Sequence, residues 1–293
     1  MSRFAVAAVV LGAVATGFSF AAVAQDAAET APAAAAPAAE ATIDLKPKFE
    51  VGQEARFTLE SVQNTVQTMA GQEQKQSVTQ HMTLLRKVTA VDESGVSIEL
   101  IIESLKVKVD SPMMALEFDS SKPAEEDGAN PYVEQMRSMV NAPIQAKLDA
   151  NGMVQEVTMP EGVEAAGALD KEKFAAQFEP LLWVKSDPST ATVGEEWNRT
   201  STQTMELGEM KSDMHFKLAE VKDSIAMIQT SANVTLAGDM AEIKQSKSEG
   251  SYRWDTAAGI LDEYETTQQM ELSIAQMGVD VKLDSRTSLK RSK

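Results

Sequence analysis

The sequence predicts a mainly β protein: antiparallel, curved sheet or sheets from a duplicated β unit, with two short helices. Three observations support this fold class. Residues 78–109 alternate apolar and polar side chains with a period of two, which is typical of half-buried strands. Short turns such as Asn151-Gly152 separate stretches of this kind. Short turn motifs that begin at Val51 also recur, in the same order, from Val193 onward.

The first 24 residues have the pattern of a secretory signal peptide. Arg3 supplies a basic start, residues 5–15 an apolar stretch, and residues 22–24 a small-residue cleavage site. Residues 25–42 are rich in Ala and Pro without apolar periodicity, which predicts a disordered linker. We therefore expect an exported protein, periplasmic or extracellular, whose leader is cleaved or, alternatively, kept as an anchor.

The composition limits the classes of partner and chemistry. The chain has 27 Lys and Arg against 44 Asp and Glu, a net charge of −17, and loss of Arg3 with the leader makes this about −18. An acidic protein of this kind is disfavoured as a partner of nucleic acid or anionic lipid surfaces. The absence of cysteine excludes disulfides and thiol chemistry, so the fold depends on its own core.

The first β repeat is predicted over residues 43–160. Its clearest part is the long hairpin over 78–109, which a turn ending at Gly95 closes. A second hairpin over 144–159 turns at Asn151-Gly152, one of the strongest short hairpin signals.

The register of the long hairpin follows from its apolar positions. Opposite residues point to the same face, so the apolar faces meet if Val88 pairs with Ile98 and Leu84 pairs with Ile102. After Ile102 the apolar positions change parity. This change predicts one β-bulge near Glu103, which would bend the sheet.

Two short helices are predicted. One, near 131–141, begins at Asn130-Pro131, a typical N-cap and first helical residue. The other, near 171–179, lies in a connector over 161–192 and ends before a proline. Both would cover the concave side of the sheet, and the triplet Leu181-Leu182-Trp183 after them also needs burial. The side chains expected to face inward are Tyr132, Met136, Met139, Phe174 and Phe178.

A second β repeat is predicted over residues 193–293. Val193-Gly194-Glu195-Glu196 echoes Val51-Gly52-Gln53-Glu54, and Asp255-Thr256-Ala257-Ala258-Gly259 echoes Asp149-Ala150-Asn151-Gly152. Two unrelated β regions with common turn residues are the alternative, since turn residues recur often. The strands would form two related sheets or one long curved sheet.

These landmarks resemble those of an uncharacterised family of exported bacterial β-rich proteins, a domain of unknown function. In that family a Val-Gly turn near an acid opens each half, an Asp-x-x-Gly bend closes a hairpin, and a Pro-containing link joins the halves. The bend at Asp255 departs from this pattern by one extra residue. The pattern is similar, more distantly, to periplasmic lipoprotein-carrier half-barrels. The resemblance covers residues 45–293 and implies no activity.

No motif predicts catalysis, a cofactor or a metal site. His81 and His215 fall on the polar sides of predicted strands and would need carboxylates brought to them to hold a metal. The chain has no Gly-x-Ser-x-Gly elbow and no Gly-rich phosphate loop. The run Glu125-Glu126-Asp127 lacks the spacing of a calcium loop and is interpreted as a solvated loop. We therefore expect no enzyme activity, no cofactor and no metal.

Methionine is unusually frequent, at 16 residues against nine Phe and three Trp. Three interpretations stay open. Methionine could fill an imperfect β core, line a plastic apolar pocket, or capture copper(I), although the close Met clusters typical of copper sites are missing. The candidate pocket residues are Met82, Leu84, Ile98, Leu100, Met136, Met139, Met214 and Phe216.

The sequence thus favours a non-catalytic secreted or periplasmic protein that binds a lipid or another apolar small molecule on a Met-rich concave sheet face. The alternative is an envelope scaffold that docks another envelope protein through its sheet edges or outer face. A hydrolase with converging carboxylates is a third hypothesis.

Overall fold

Long β-strands form most of the chain that the computed structural model describes. The description covers residues 42–292 except 94, 113, 128–129, 150–151, 161–177, 186–187, 206–207 and 239–240. The strands in this part are β1 Ile43–Asp44, β2 Glu54–Met69, β3 Gln72–Asp92, β4 Gly95–Asp110, β5 Ala115–Asp119, β6 Pro143–Leu148, β7 Val154–Thr158, β8 Thr190–Ala191, β9 Glu196–Met205, β10 Gly208–Lys222, β11 Ile225–Ala237, β12 Glu242–Asp255, β13 Ile260–Ile274 and β14 Val279–Arg291. The helix α1 is Pro131–Met139, and 3₁₀ turns occur at Ala124–Glu126, Glu179–Leu181 and Ala275–Met277.

Twelve of these strands form one antiparallel sheet, so the mainly β, antiparallel fold class is confirmed. The strand order is β7-β6-β4-β3-β2-β14-β13-β12-β11-β10-β9, and β5 pairs with β4 beside β6. Strands β1 and β8 pair separately. Each half of the chain forms a meander, and the halves join where β2 pairs with β14, from Phe57 opposite Arg291 to Met69 opposite Val279. The sheet is therefore continuous, while the duplication of its halves stays a prediction.

The long hairpin predicted from the alternation is the pair β3–β4, and its register is confirmed. Val88 lies opposite Ile98, and Leu84 lies opposite Ile102. The register then shifts and leaves Glu103 as the extra residue of the predicted bulge. A second register shift next to Val88 is not foreseen by the alternation.

One α-helix is described where the sequence predicts two. Helix α1 follows Asn130, whose side chain accepts a hydrogen bond from the amide of Tyr132 at 3.0 Å. Of the helix predicted near 171–179, residues 171–177 lie outside the described part. Phe178 is α-helical, and the 3₁₀ turn Glu179–Leu181 follows it directly.

The prediction that Tyr132 faces inward is wrong, because this side chain is 65% exposed. Val140 bridges Ile102 of β4, and Val133, two turns earlier on the same helix face, is buried. Tyr132 lies about 100° from Val133 around the helix axis, so it points to solvent. Of the other residues expected inward, Met136, Met139 and Phe178 pack into the core and Phe174 lies outside the described part.

The sheet curls around residues 178–185, which we call the connector segment and which are all buried. Arg86 of β3 donates a hydrogen bond to the carbonyl of Leu181, and Arg199 of β9 forms an ion pair with Glu179. Strands β3 and β9 are seven places apart, which is about 34 Å in a flat sheet. Their side chains nevertheless reach residues two positions apart, so the sheet must be strongly curved. The connector segment covers the concave, inner face here, and Val133, Met136 and Met139 of α1 pack into the same core.

Buried apolar side chains form two clusters at opposite ends of β11 to β14. The first cluster is large and includes the connector segment, the inner residues of β3 and β4, and the aromatic residues Trp254 and Phe216. The second cluster consists of Ala241, Ile274, Val279 and Val281, with Leu236, Leu272 and Met277 packed against them. The inner face therefore carries two apolar regions along the same strands.

Candidate functional site

The candidate pocket residues belong together in the first cluster. Six of them are buried, and Met136 and Met139 are partly buried against the same cluster. Phe178, Leu181 and Leu182 of the connector segment are members of this cluster too. The structure thus brings the predicted residues together, but it packs side chains of the same chain among them. Their role in binding a ligand stays a prediction.

Arg86 fixes the connector segment to β3. Its side chain is fully buried and donates hydrogen bonds to the Leu181 carbonyl at 2.9 Å and to Gln53 Oε1 at 3.1 Å. The guanidinium also lies 5.5 Å from the centre of the Phe49 ring. Burial lowers the pKa of Arg86 to about 10, and the charge of Arg291 acts in the same direction. The side chain therefore remains a charged donor at neutral pH.

Arg199 holds the same segment from β9. It forms an ion pair with Glu179, and the two side chains are 6% and 5% exposed. The guanidinium lies 4.8 Å from the ring centre of Trp183 and 5.1 Å from that of Phe216. Burial raises the pKa of Glu179 to about 7, although Arg199 acts in the opposite direction. The protonation of this carboxyl group therefore changes near neutral pH.

Between the two clusters the inner face is polar and uncharged. Uncharged polar side chains and one glycine form two rows across the sheet here, with residues opposite each other on neighbouring strands. We call these ten residues the polar band. They are Gln80 on β3, Ser61 and Gln63 on β2, Ser285 and Thr287 on β14, Thr266 and Gln268 on β13, Ser248 and Gly250 on β12, and Thr230 on β11.

Internal hydrogen bonds satisfy only part of the polar band. The hydroxyls of Ser61 and Thr287 are 3.1 Å apart, and Thr266 donates to the carbonyl of Glu249 at 3.3 Å. In contrast, several other side chains of the polar band make no hydrogen bond to a described residue. These are Gln80, Thr230, Ser248, Gln268 and Ser285.

The middle of the polar band requires a glycine. A Cβ atom at Gly250 would lie 2.5 Å from the backbone oxygen of Glu265 and 2.9 Å from Oγ1 of Thr230. Contacts this short do not occur in folded proteins, so Gly250 allows Thr230 and β13 to approach β12 closely.

Sequence reasoning missed the anchoring arginines and the polar band, although both leave a signal. Arg86 has the same parity as the buried Leu84 and Val88, and Ser61 and Gln63 continue the parity of Phe57 and Leu59 on β2. A polar residue at a core position of an alternating strand therefore marks an unusual interior.

The outer face carries the histidines and most of the paired charges. His81 lies 3.3 Å from Glu60, and His215 lies 2.8 Å from Asn198, both on exposed strand surfaces. Among the described residues, no group of three His, Asp or Glu side chains is arranged to hold a metal ion. A shallow groove of about 510 Å³ on this face is lined by charged and amide side chains of β2, β12, β13 and β14. The outer face is thus mostly polar in this region, with Val62 as an exposed apolar residue in the groove.

Comparisons with known proteins do not assign the chain to a family. No family model and no curated protein matches it. A lipovitellin structure concerned with lipid–protein interactions has a TM-score of 0.47 at 9% identity, over 84% of this chain and 26% of that one. An outer membrane channel from Pseudomonas putida has a TM-score of 0.33 at 10% identity, over 84% and 98%. DynF from the dynemicin biosynthesis pathway of Micromonospora chersina has a TM-score of 0.23 at 6% identity, over 90% and 92%.

The chain spans about a quarter of the lipovitellin chain. The resemblance to a family of exported β-rich proteins stays a prediction. In the part of the chain that the structure describes, no helix has the length and apolar character to cross a membrane.

Proposed function

We propose that the protein is a non-catalytic exported protein that binds an apolar ligand on the inner face of its curved sheet, next to the second cluster. One observation carries this proposal. The inner face has two apolar regions, and the connector segment belongs to the first. The second is built from strand side chains, Ala241 and Met277 of the 3₁₀ turn, and no residue of the connector segment belongs to it.

The proposed surface extends beyond the second cluster. Met270 and Leu283 lie opposite each other on β13 and β14, and Met210 and Val234 lie on β10 and β11. All four are buried apolar residues between the polar band and the second cluster. Together these strands supply a mainly apolar surface, interrupted by the buried Ser212 opposite Val234, with flexible thioether groups that suit ligands of varied shape.

The absence of catalysis is part of the proposal. Among the described carboxylates, Glu179 is the one that is buried, and its ion pair with Arg199 holds the connector segment. The polar band contains no charged group that could act as acid or base. Both features favour binding over a reaction that uses converging carboxylates.

The experiment measures binding of Nile red, an uncharged apolar dye, to the purified protein and to Leu272→Gln. Leu272 packs against the second cluster from the inner face of β13. The loss of one leucine contact, about 1.5–3 kcal/mol, should weaken binding roughly tenfold or more.

The control is Val62→Gln, which changes an apolar residue that is 43% exposed on the outer face of β2. This variant should bind the dye as the unchanged protein does. Failure of the unchanged protein to bind Nile red, together with a solvent extract that contains no lipid, would remove the proposal.

Docking through a sheet edge, the alternative from the sequence, has one feature in its favour, since β9 is the last strand in the sheet order. However, Arg199 points inward from β9 and is held by Glu179. An inward charge on an edge strand discourages pairing with a further strand. Ligand binding is therefore the better supported function.

A further inference from the structure

A cavity of about 640 Å³ lies at one end of the sheet, where the turn between β10 and β11 meets the ends of β12, β13 and β14. The second cluster lies at the opposite end of these three strands. The volume falls in the range of small-molecule sites, about 300–1,000 Å³. The charged side chains that line this cavity are Asp223, Asp255, Asp262, Arg253 and Arg291.

Arg291 pairs with two of the three aspartates. Its Nη2 atom donates to Asp255 Oδ2 at 2.8 Å and to Asp262 Oδ1 at 3.3 Å. Partial burial acts to raise the pKa of Asp255, but hydrogen bonds from Arg291 and from the amide of Ala258 lower it overall. Asp255 and Asp262 therefore remain charged at neutral pH and are held inside the protein.

Arg253 is left without a hydrogen bond to a described residue. Its Nε atom is buried and lies 3.5 Å from Asp262 Oδ2 and 3.7 Å from Glu263 Oε2, too far for a good hydrogen bond. Each of these carboxylates also pairs with another cation, Arg291 for Asp262 and Lys290 for Glu263. A buried donor without an acceptor destabilises the fold, so the guanidinium favours a further acceptor from the cavity.

Asp223 supplies an unpaired negative charge to the same cavity. It lies in the two-residue turn between β10 and β11, and its side chain makes no hydrogen bond or ion pair with a described residue. Arg253 lies opposite Met227 on β11, so its Cα is roughly 12–14 Å from that of Asp223. The long arginine side chain covers much of this distance, and one small molecule in the cavity can therefore contact both charges.

We infer that this cavity binds a free aliphatic amino acid, with the carboxylate on Arg253, the ammonium on Asp223 and the side chain against the half-buried Ile225. A guanidinium and a carboxylate match in shape and form paired, charge-assisted hydrogen bonds. A ligand with one charge alone fits less well, because an anion would lie near three aspartates and a cation near two arginines. A zwitterion gains from both unpaired groups.

The experiment uses isothermal titration calorimetry to compare three ligands with the same branched carbon skeleton. They are L-leucine, 4-methylpentanoate, which lacks the ammonium, and 3-methylbutylamine, which lacks the carboxylate. Low ionic strength is needed because salt screens partly exposed charges. Leucine should bind at least about fivefold more tightly than either of the other two, since only leucine pairs with both Arg253 and Asp223.

Two variants separate the two contacts. Arg253→Gln should weaken leucine binding at least about fivefold and leave 3-methylbutylamine unaffected. Asp223→Asn should weaken leucine binding to a similar extent and leave 4-methylpentanoate unaffected. Asparagine accepts the positive φ of +49° at this position, so the turn is kept and this variant tests the site even if Arg253→Gln is destabilised.

The matched control is Arg286→Gln, which changes an arginine on the outer face of β14 that is outside this cavity. It should bind leucine as the unchanged protein does. Absence of leucine binding at about 10 mM, weaker than any specific site would show, would overturn the inference. Equal binding of the three ligands, or unchanged leucine affinity in both Arg253→Gln and Asp223→Asn, would overturn it too.

The inference is independent of the proposed function, because the cavity and the second cluster lie at opposite ends of β12, β13 and β14. Leu272→Gln should therefore weaken the binding of Nile red and leave the binding of leucine unchanged. Loss of leucine binding in Leu272→Gln would contradict two separate sites and overturn the inference. Failure of the unchanged protein to bind Nile red, with leucine bound, would remove the proposed function alone.

Discussion

Glu179 couples the stability of the fold to pH through one buried carboxyl group. Burial raises its folded-state pKa to about 7 from the ordinary 4.5, so the folded protein binds this proton more tightly than the unfolded chain does. The bound proton therefore makes its full contribution to the stability of the fold below about pH 4.5. This contribution is lost as the pH rises through about 7. A shift of this size corresponds to roughly 3 kcal/mol between the two limits.

We expect Glu179→Gln, which keeps the shape of the side chain but cannot titrate, to show a weaker pH dependence of unfolding. Urea denaturation between about pH 4.5 and 8 measures it, and the unchanged protein should lose stability relative to the variant as the pH rises. Glu249→Gln, at an exposed glutamate of β12, should follow the unchanged protein. Parallel curves for Glu179→Gln and the unchanged protein would refute this linkage.

The turn between β12 and β13 is an element whose geometry depends on a distant part of the chain. Gly259 has φ +60°, and a Cβ there would lie 2.5 Å from the backbone nitrogen of Lys48. That nitrogen donates a hydrogen bond to the Gly259 carbonyl at 3.0 Å. Gly278, between β13 and β14, has nearly the same φ of +61° but open space around it. A comparison of the two glycines therefore separates the cost of a left-handed backbone from the cost of a steric contact with Lys48.

Alanine at Gly278 should cost about 1–2 kcal/mol of unfolding free energy, from the left-handed backbone alone. Alanine at Gly259 should cost at least about twice as much, because the chain at Lys48 must also move. Chemical denaturation of the two variants, side by side, gives the difference. Equal losses would show that the contact with Lys48 contributes nothing.

The same turn indicates how far an element can be predicted from its sequence. Its bend is visible in the run that starts at Asp255, and the register of β3–β4 follows from apolar parity, because both depend on residues close in the chain. The burial of Phe178 and of Leu181-Leu182-Trp183 is expected from the sequence, but the contact of Gly259 with Lys48 and the anchoring of the connector segment by Arg86 and Arg199 could not be predicted. They join residues far apart in sequence, and no local pattern encodes such a pairing.

At the scale of the whole molecule, the pairing of β2 with β14 makes one sheet from two meanders. The sequence left two related sheets and one long sheet open, since alternation fixes faces but not which strands become neighbours. The candidate pocket residues could be assigned to one face by parity. The connector segment packs among these residues because the sheet is strongly curved. A single bulge at Glu103 indicates this curvature only locally.

A continuous sheet around one shared cluster should unfold as a unit. Leu84 on β3 and Leu218 on β10 are both fully buried in the first cluster, and all three tryptophans lie in the connector segment or after it. Leu84→Ala should therefore lower the midpoint of the tryptophan fluorescence transition about as much as Leu218→Ala does. Each change costs about 2–5 kcal/mol, on the order of 10 °C in this size class. If Leu84→Ala left the tryptophan transition in place while Leu218→Ala lowered it, the two halves would be independent folding units despite their common sheet.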